Sequence, residues 1–227
     1  MDTYSRTREQ LETYFDRTAS KTWERLTSDA PVSRIRQTVR EGRDQMRAGM
    51  LSRLPDDLTG ARVLDAGCGA GPMTQELAER GAEVVAVDIS PSLLEVAKKR
   101  IPEKLHRQIT FVAGDMLGDA LGRFDYAMAM DSLIHYRAPD IAAALGRLAP
   151  RVRQKIVFTI APKTPLLSAM HVSGKLFPRS DRSPRIIPHS EARIAGALRD
   201  VGIKGALRPV LRVSKGFYIS QAMELEL

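Results

Sequence analysis

Acidic residues stand at the ends of three apolar, strand-like segments, and a glycine-rich loop follows the first of them. The segment VLDAGCGAG, residues 63–71, carries Asp65 and three glycines at alternate positions. Asp88 ends the segment AEVVAVD, 23 residues after Asp65, and Asp115 ends ITFVAGD. Glycines let a backbone turn tightly and approach a ligand, and a carboxylate after the second strand is placed to bind both hydroxyls of a ribose. These residues predict a site for a nucleoside-containing cofactor.

The loop pattern separates two classes of cofactor. A loop that binds the pyrophosphate of NAD follows G-x-G-x-x-G and offers backbone N–H groups to the phosphates. Here Asp65 opens the pattern D-x-G-x-G-x-G instead. An acid at this place repels a pyrophosphate and suits an ammonium or sulfonium group. The sequence therefore favours a cationic cofactor over a dinucleotide.

Segments of strand length alternate with helical segments from residue 61 onward. The strand-like segments are rich in Val, Ile and Phe and apolar enough to be buried on both faces, which is typical of a parallel sheet between helices. The predicted strands are residues 61–66, 82–88, 109–115, 124–131 and 155–161, with a closing pair near 207–213 and 217–223; the predicted helices are 72–80, 91–100, 138–150 and 189–201. The predicted fold is α/β and Rossmann-like, with a doubly wound sheet.

Two further segments lie outside this alternation. Residues 4–54 show a helical period with a break near Pro31, which predicts a two-helix cap of residues 1–54 preceding a domain of residues 55–227. Tyr14, Phe15 and Trp23 cluster in this cap although aromatic residues make up only 5% of the chain, so part of it is expected to line a pocket. Residues 162–188 contain five prolines, and we interpret them as an inserted arm or lid.

Residues 61–136 resemble the class I S-adenosylmethionine-dependent methyltransferases, on the strength of the loop and the acidic strand ends. The resemblance implies that Asp65 and the Gly67–Gly71 backbone face the methionine part, that Asp88 binds the ribose, and that Asp115 with Met116 binds the adenine. It also implies S-adenosylmethionine as cofactor and S-adenosylhomocysteine as product. The cofactor-binding residues implied are Asp65, Ala66, Gly67, Gly69, Gly71, Asp88, Ile89, Asp115, Met116 and Asp131.

The residues after the fourth strand bear on the methyl acceptor. Adenine-N6 methyltransferases carry an N/D-P-P-Y/F signature there that binds a flipped base, whereas this chain has MDSLIHY, residues 130–136. Cytosine-C5 methylation needs a cysteine nucleophile, and the single cysteine, Cys68, lies in the cofactor loop. Both observations argue against a nucleic-acid acceptor. Another small-molecule O- or N-methyltransferase, and less strongly an RNA methyltransferase, stay open as alternatives.

Four segments resemble the magnesium protoporphyrin IX methyltransferases of chlorophyll and bacteriochlorophyll biosynthesis. They are YFDRTA with Trp23, VSRIRQTVREGR at residues 32–43, the segment 131–136, and the proline-rich arm. The likeness covers nearly the whole chain. It implies a seven-stranded, mostly parallel sheet and methylation of one propionate of magnesium protoporphyrin IX, which yields the monomethyl ester.

This second resemblance also implies an acceptor site. A propionic acid has a pKa near 4.3 and is already ionised at neutral pH, so no strong base is needed. A neutral hydrogen-bond donor suits the reacting oxygen, with His135 as first candidate and Tyr14 as second. The substrate-binding residues expected are Tyr14, Phe15, Trp23, Ile35, Val39, Lys163, His171, Lys175 and Arg179. No metal site of the protein itself is expected, because the magnesium belongs to the substrate.

The positive charge is concentrated in one part of the chain. The 35 basic and 27 acidic residues leave a formal charge of +8, yet residues 147–215 alone hold 15 basic and 3 acidic residues. The propionates of the substrate offer an acidic small-molecule explanation, so no nucleic acid is expected as partner. The lone cysteine and the lack of a long apolar segment predict a cytoplasmic protein. Family resemblance adds the large magnesium chelatase subunit and peripheral contact with the inner or photosynthetic membrane as candidate partners.

Overall fold

The computed structural model describes residues 3–16, 34–163 and 185–227. Helices and strands alternate in the order that the sequence predicts. The helices are α1 (Thr3–Tyr14), α2 (Arg34–Leu51), α3 (Pro72–Glu79), α4 (Pro91–Arg100), α5 (Ala138–Leu148) and α6 (Glu191–Asp200). The strands are β1 (Arg62–Ala66), β2 (Glu83–Asp88), β3 (Ile109–Ala113), β4 (Phe124–Ala129), β5 (Val152–Pro162), β6 (Pro188–His189), β7 (Ala206–Lys215) and β8 (Tyr218–Glu226).

The strands form one mostly parallel sheet in the order β3-β2-β1-β4-β5-β8-β7. Strands β1 to β5 pair in parallel, β8 is antiparallel to both neighbours, and the two-residue β6 pairs with the end of β5. The order reverses between β1 and β4, and a doubly wound sheet binds its ligand outside the carboxyl ends of the strands at that point. The predicted seven-stranded sheet is confirmed.

Apolar side chains on both faces of the sheet explain the doubly wound arrangement. On one face, Leu64 and Phe158 pack with residues of α5 and α6 such as Ile141 and Ile194. On the other face, Val63 and its neighbours pack with α2, α3 and α4. Because both faces are covered, the central strands are almost fully buried, as their unbroken apolar sequences predict.

Helix α1 lies over the carboxyl ends of β2 and β3. Near its start, Tyr4 Oη donates to Asp115 Oδ1 at 2.9 Å, and Arg8 Nη1 lies 3.2 Å from Asp115 Oδ2. Just beyond its end, Asp16 Oδ1 accepts from the hydroxyl of Ser92 at 2.8 Å, in the first turn of α4. Since Leu11 between them is buried in the core, the helix is held at both ends and in the middle.

Helix α2 packs against the β7–β8 hairpin. Gly42 and Gly49 permit the close approach: a Cβ at Gly42 would lie 2.7 Å from Tyr218 Cδ1, and one at Gly49 would overlap Leu211. The helix ends at Leu51, three residues before the predicted end at Leu54, which is itself buried after the turn. Most of the predicted arm, residues 164–184, and the cap residues 17–33 lie outside the described residues, so the division of the chain into domains stays a prediction.

Candidate active site

A cavity of about 420 Å³ opens at the carboxyl edge of the sheet, where the strand order reverses. Its wall joins the loops after β1 to β4, one face of α1, the middle of α2 and the tip of the β7–β8 hairpin. Of the predicted cofactor and substrate residues, its lining contains Tyr14, Phe15, Val39, Gly67, Gly69, Asp88, Ile89, Asp115, Met116, Asp131 and His135. The structure therefore brings seven of the ten predicted cofactor residues to one cavity, together with both candidate donors, His135 and Tyr14.

The glycine-rich loop forms the floor of this cavity. The N–H groups of Gly67 and Cys68 both donate to the carbonyl of Val87, at 2.8 and 3.0 Å, which folds the loop back onto β2. Gly67 has φ 82°, and a Cβ there would lie 2.5 Å from Ser132 Cβ. A side chain at this position would both strain the backbone and fill the cradle.

Asp88 connects the end of β2 to the glycine-rich loop. Its Oδ2 accepts from Gly69 N and its Oδ1 from Ser90 N, each at 2.8 Å. Burial raises the pKa of this carboxyl to about 6, although both hydrogen bonds oppose that rise. Asp88 thus holds the loop in shape and also lines the cavity, while its contact with a ribose stays a prediction.

Asp65 lies behind the loop rather than on the cavity wall. Its exposed fraction is 1%, and its Oδ2 accepts from Thr74 Oγ1 at 2.6 Å. Burial, with a smaller contribution from the Asp88 carboxylate, raises its pKa to about 7. Ala66 and Gly71 are also absent from the cavity lining. Asp65 can therefore influence a bound cation through its charge and through the position of the loop, and its direct contact with the cofactor stays a prediction.

Asp115 is already hydrogen-bonded to protein groups from two sides. Besides the bonds from Tyr4 and Arg8, its Oδ1 accepts from Leu117 N at 2.9 Å. The ring of Tyr4 stacks on Tyr136 with centroids 4.9 Å apart. Helix α1 consequently closes the cavity beside Asp115 and the buried side chain of Met116, and the predicted adenine contact of these two residues stays a prediction.

Asp131 is the link between the end of β4 and the hairpin. It has φ 56°, a left-handed conformation that is rare outside glycine. Its carboxylate accepts from Tyr218 Oη at 3.1 Å and lies 2.9 Å from Arg43 Nη1 of α2. Its backbone N–H donates to Thr159 Oγ1 at 2.7 Å. The predicted cofactor residue is thus held by three other elements, and its contact with the cofactor stays a prediction.

His135 occupies an aromatic end of the cavity. Its ring lies 6.2 Å from that of Phe15, which in turn makes an edge-on contact of 5.3 Å with Tyr14. His135 Nδ1 lies 3.2 Å from the carbonyl oxygen of Arg185. Because a carbonyl can only accept, this bond assigns the proton to Nδ1 and leaves Nε2 of the neutral ring as an acceptor. Burial lowers the pKa of His135, which favours the neutral ring.

This tautomer bears on one expectation. A neutral His135 with its proton on Nδ1 offers Nε2 as an acceptor, so its expected role as the donor to the reacting oxygen stays a prediction that this arrangement does not favour. Tyr14 fits that role better, because burial raises the pKa of its phenol and keeps the hydroxyl protonated. The sequence could not show this, since the bond that sets the tautomer joins residues 50 positions apart.

Several predicted substrate residues lie elsewhere or outside the described residues. Lys163 lines a second cavity, of about 430 Å³, with Arg137, His189 and Arg193, and not the main one. Trp23, His171, Lys175 and Arg179 lie outside the described residues, as does the side chain of Ile35 in α2. The substrate contacts expected of Lys175 and Arg179 are therefore untested, and Lys163 is absent from the lining of the cavity that contains His135.

The structure adds cavity residues that sequence reasoning missed: Tyr4, Arg8, Arg43, Ser132, Phe217 and Tyr218. The spacing of Tyr4, Arg8 and Leu11 along one helical face is a signal that could have found the first two. Ser132 Oγ is buried and has no hydrogen-bond partner within the described residues, and it lies against Gly67. An unpartnered hydroxyl beside a side-chain-free cradle fits a polar ligand at the loop.

Cys68 is a structural residue of the loop. Its thiol is buried, and burial, together with Asp65 and Asp88, raises its pKa well above the ordinary value. A thiol held protonated is a poor nucleophile. The surroundings of Cys68 therefore suit a small side chain packed in the loop rather than a nucleophile.

Comparisons with known proteins agree with this site. Residues 63–155 match the family model for a methyltransferase domain, and residues 129–226 match the model for the magnesium-protoporphyrin IX methyltransferase C-terminus. The chain is 57% identical to the magnesium-protoporphyrin O-methyltransferase of Rhodobacter capsulatus, over 97% of both chains.

The crystal structure of magnesium protoporphyrin IX methyltransferase from Synechocystis PCC 6803 with bound S-adenosylhomocysteine matches with a TM-score of 0.79 and 31% identity, over 96% of this chain and 98% of that one. A second crystal structure of that protein, with bound S-adenosylmethionine, matches with a TM-score of 0.76 and 28% identity, over 97% and 96%. The shared fold, the loop with its acidic strand ends and the full-length identity lead to one conclusion: the chain belongs to the magnesium-protoporphyrin O-methyltransferase family.

Proposed function

We infer that the chain transfers a methyl group from S-adenosylmethionine to a propionate carboxylate of magnesium protoporphyrin IX. The products are the monomethyl ester and S-adenosylhomocysteine, in chlorophyll or bacteriochlorophyll biosynthesis. The observation that carries this is the continuous cavity from the glycine-rich loop to the aromatic end at His135, in a chain 57% identical to a relative of that name.

The residues at the loop fit S-adenosylmethionine. When bound, that cofactor supplies an electrophilic methyl group on a positively charged sulfur. Asp65 and Asp88 place two buried carboxyls at the loop, and their ionised forms stabilise a cation more strongly here than they would in water. We propose that Asp88 binds the ribose hydroxyls, that Met116 covers the adenine beside Asp115, and that the Ser132 hydroxyl binds a polar group of the methionine part.

The chemistry requires a carboxylate oxygen to approach the methyl carbon in line with the carbon–sulfur bond. The chain's contribution is to hold the two groups in that geometry, which can supply roughly 7–11 kcal/mol of the barrier. Opposite charges disappear in this step, so the apolar walls formed by Phe15, Val39 and Ile134 favour it by excluding water. No strong base is needed for a propionate that enters ionised.

We propose complementary roles for His135 and Tyr14. The Nε2 lone pair of His135 accepts the proton of any propionic acid that enters the apolar cavity in its neutral form, because burial raises a carboxyl pKa. The Tyr14 hydroxyl donates one hydrogen bond to the acceptor carboxyl and orients it. A neutral donor is preferable to an arginine here, since a tight ion pair would stabilise the nucleophile before the reaction.

The function is tested by incubating purified protein with labelled S-adenosylmethionine and magnesium protoporphyrin IX. We expect label in the porphyrin, at one ester per macrocycle, with one equivalent of S-adenosylhomocysteine released. Cofactor binding without labelled ester would overturn the proposed substrate. Protoporphyrin dimethyl ester is the control, since it has no carboxylate to accept the methyl group.

We also propose two partners for the chain, an anionic membrane surface and the large magnesium chelatase subunit. The positive charge of residues 147–215 suits an anionic membrane surface or an acidic face of the large magnesium chelatase subunit, and both would deliver or receive an apolar substrate. We propose a cytoplasmic protein with peripheral membrane contact. Among the described residues, no helix has the length and apolar character to span a membrane. Co-sedimentation with anionic and neutral vesicles tests the membrane contact, and binding to the purified chelatase subunit tests the other.

A further inference from the structure

The tip of the β7–β8 hairpin presents an exposed aromatic ring at the cavity mouth. Phe217 lines the cavity, yet 62% of its surface is exposed. Of the four large apolar side chains that are exposed within the described residues, a second, Ile186, lines the same cavity with 42% exposure. The other two, Val201 and Leu227, are not in its lining. Exposed apolar groups gathered at one opening indicate a binding surface.

The hairpin tip is held firmly in place. Lys215 Nζ lies 2.7 Å from Glu41 Oε2 of α2, before the turn. At the turn, Gly216 has φ 58°, and a Cβ there would overlap Thr38 Oγ1. After the turn, Tyr218 packs on Gly42 and bonds Asp131. The exposure of Phe217 is therefore a consequence of the backbone on either side of it, which these contacts hold at the cavity mouth.

Ile186 lies on the acceptor side of the same opening. Its neighbour Arg185 accepts the hydrogen bond from His135 Nδ1, and Ile187 N donates to Ile134 O at 2.9 Å. These two bonds bring the chain returning from the arm alongside the segment that carries His135. Ile186 is thus placed beside the end of the cavity where the propionate is proposed to react.

The size of the cavity indicates where the macrocycle must lie. Ligand pockets commonly measure roughly 300–1,000 Å³, and about 420 Å³ is too small to enclose a nucleoside cofactor together with a tetrapyrrole. With the cofactor on the glycine-rich loop, the walls formed by the described residues leave room at His135 for a propionate arm rather than for the macrocycle. Most of the flat, apolar ring system then extends to the mouth.

We propose that Phe217 and Ile186 form an apolar platform at the cavity mouth on which the porphyrin macrocycle packs while one propionate enters. This inference rests on the proposed function and specifies its substrate contact. The platform selects for a broad, flat acceptor: a small carboxylic acid can reach His135 but gains nothing from Phe217. Aromatic rings and tetrapyrroles favour offset stacking, which accounts for an aromatic residue at this tip.

The test compares Phe217→Ala and Phe217→Leu with Val201→Ala, a control because Val201 is a 46% exposed apolar residue that is absent from the cavity lining. Initial rates give KM and kcat for magnesium protoporphyrin IX, titration calorimetry gives the Kd of S-adenosylhomocysteine, and a melting curve checks folding. For Phe217→Ala we expect KM to rise about 5- to 30-fold, as the loss of a buried aromatic contact implies. In Phe217→Leu the KM should rise less than in Phe217→Ala. In both variants the Kd of S-adenosylhomocysteine should stay within about twofold of the wild-type value.

Two outcomes would overturn the platform. An unchanged KM in Phe217→Ala, with reduced binding to lipid vesicles, would assign the tip to a membrane. If Phe217→Ala weakened the binding of the porphyrin and of the cofactor by the same factor, Phe217 would support the whole cavity rather than the porphyrin alone. Porphyrin binding measured by absorbance in the presence of S-adenosylhomocysteine needs no turnover, so a porphyrin that binds to the platform without being methylated would contradict the proposed function alone.

Discussion

Arg43 Nη1 lies 2.9 Å from Asp131 Oδ2 and so connects the second N-terminal helix to the end of the fourth strand. Both side chains are mostly buried, and Asp131 adopts its left-handed conformation at the same point. Strained backbone of this kind persists where the surroundings hold it, and it concentrates at functional sites. The pair thereby sets the distance between α2, which supplies part of the acceptor wall, and the cofactor end of the sheet.

Arg43→Met should lower the free energy of unfolding by roughly 3 kcal/mol, because it leaves the Asp131 carboxylate buried without its cation. Urea denaturation measures the effect. The double variant Arg43→Met/Asp131→Asn should lose less than the sum of the two single losses, since the neutral pair no longer buries an unpaired charge. Arg36→Met, on the exposed part of the same helix, is the control. Additive losses would show that the two residues act independently.

The affinity for S-adenosylmethionine relative to S-adenosylhomocysteine should increase with pH. The carboxyls of Asp88 and Asp65, with pKa values of about 6 and about 7, ionise over this range and attract the sulfonium, which the product lacks. Between about pH 5.5 and pH 8 we expect the ratio of the two Kd values to change roughly three- to tenfold. Calorimetric titrations with both ligands measure it. In Asp65→Asn the change should be smaller, and a pH-independent ratio in the wild type would contradict the charge argument.

Asp65→Asn should raise thermal stability more at about pH 8 than at about pH 5. A folded pKa above the unfolded value means that the folded protein binds the proton more tightly. The wild type therefore loses stability as pH rises from the unfolded pKa, about 3.9, towards about 7, and the loss is complete above that value. An asparagine has no such cost and can still accept the hydrogen bond from Thr74. Differential scanning calorimetry should show that the melting temperature of Asp65→Asn exceeds that of the wild type by several degrees at about pH 8 and by less at about pH 5. Asp56→Asn, at an exposed position, should leave the melting temperature unchanged.

His135→Ala should lower kcat far more than it weakens cofactor binding. The loss of a proton acceptor at the acceptor end costs about 10²- to 10⁴-fold where a propionic acid must be deprotonated. The acidic limb of the wild-type kcat should lie below the pH range in which a free imidazole titrates, because burial lowers the pKa of His135, and this limb should disappear in His135→Gln. A single-turnover assay with bound S-adenosylmethionine isolates the chemical step. A wild-type rate in His135→Ala would remove the residue from the mechanism.

The sequence alone determined the order and type of the elements, the cofactor loop and the acids beside it. These features depend on neighbouring residues: apolar runs become buried strands, and Asp65, Asp88 and Asp115 stand in or just beyond the last residues of three parallel strands that end at one edge. Ser190 could likewise be recognised as the N-cap of α6, where its side chain accepts from Arg193 N. Such local patterns can be read without knowing which distant elements pack together, because they depend only on residues close in sequence.

Only the tertiary structure decided how these parts meet. Tyr4 and Asp115 are 111 residues apart, Asp131 and Tyr218 are 87 apart, and the tautomer of His135 depends on a carbonyl 50 residues away. No periodicity encodes such contacts, because they arise when packed elements place distant side chains within hydrogen-bond distance. The sequence therefore specified a cationic nucleoside cofactor at the sheet edge. The packing of α1, α2 and the β7–β8 hairpin decided which side chains close the cavity and which face the acceptor.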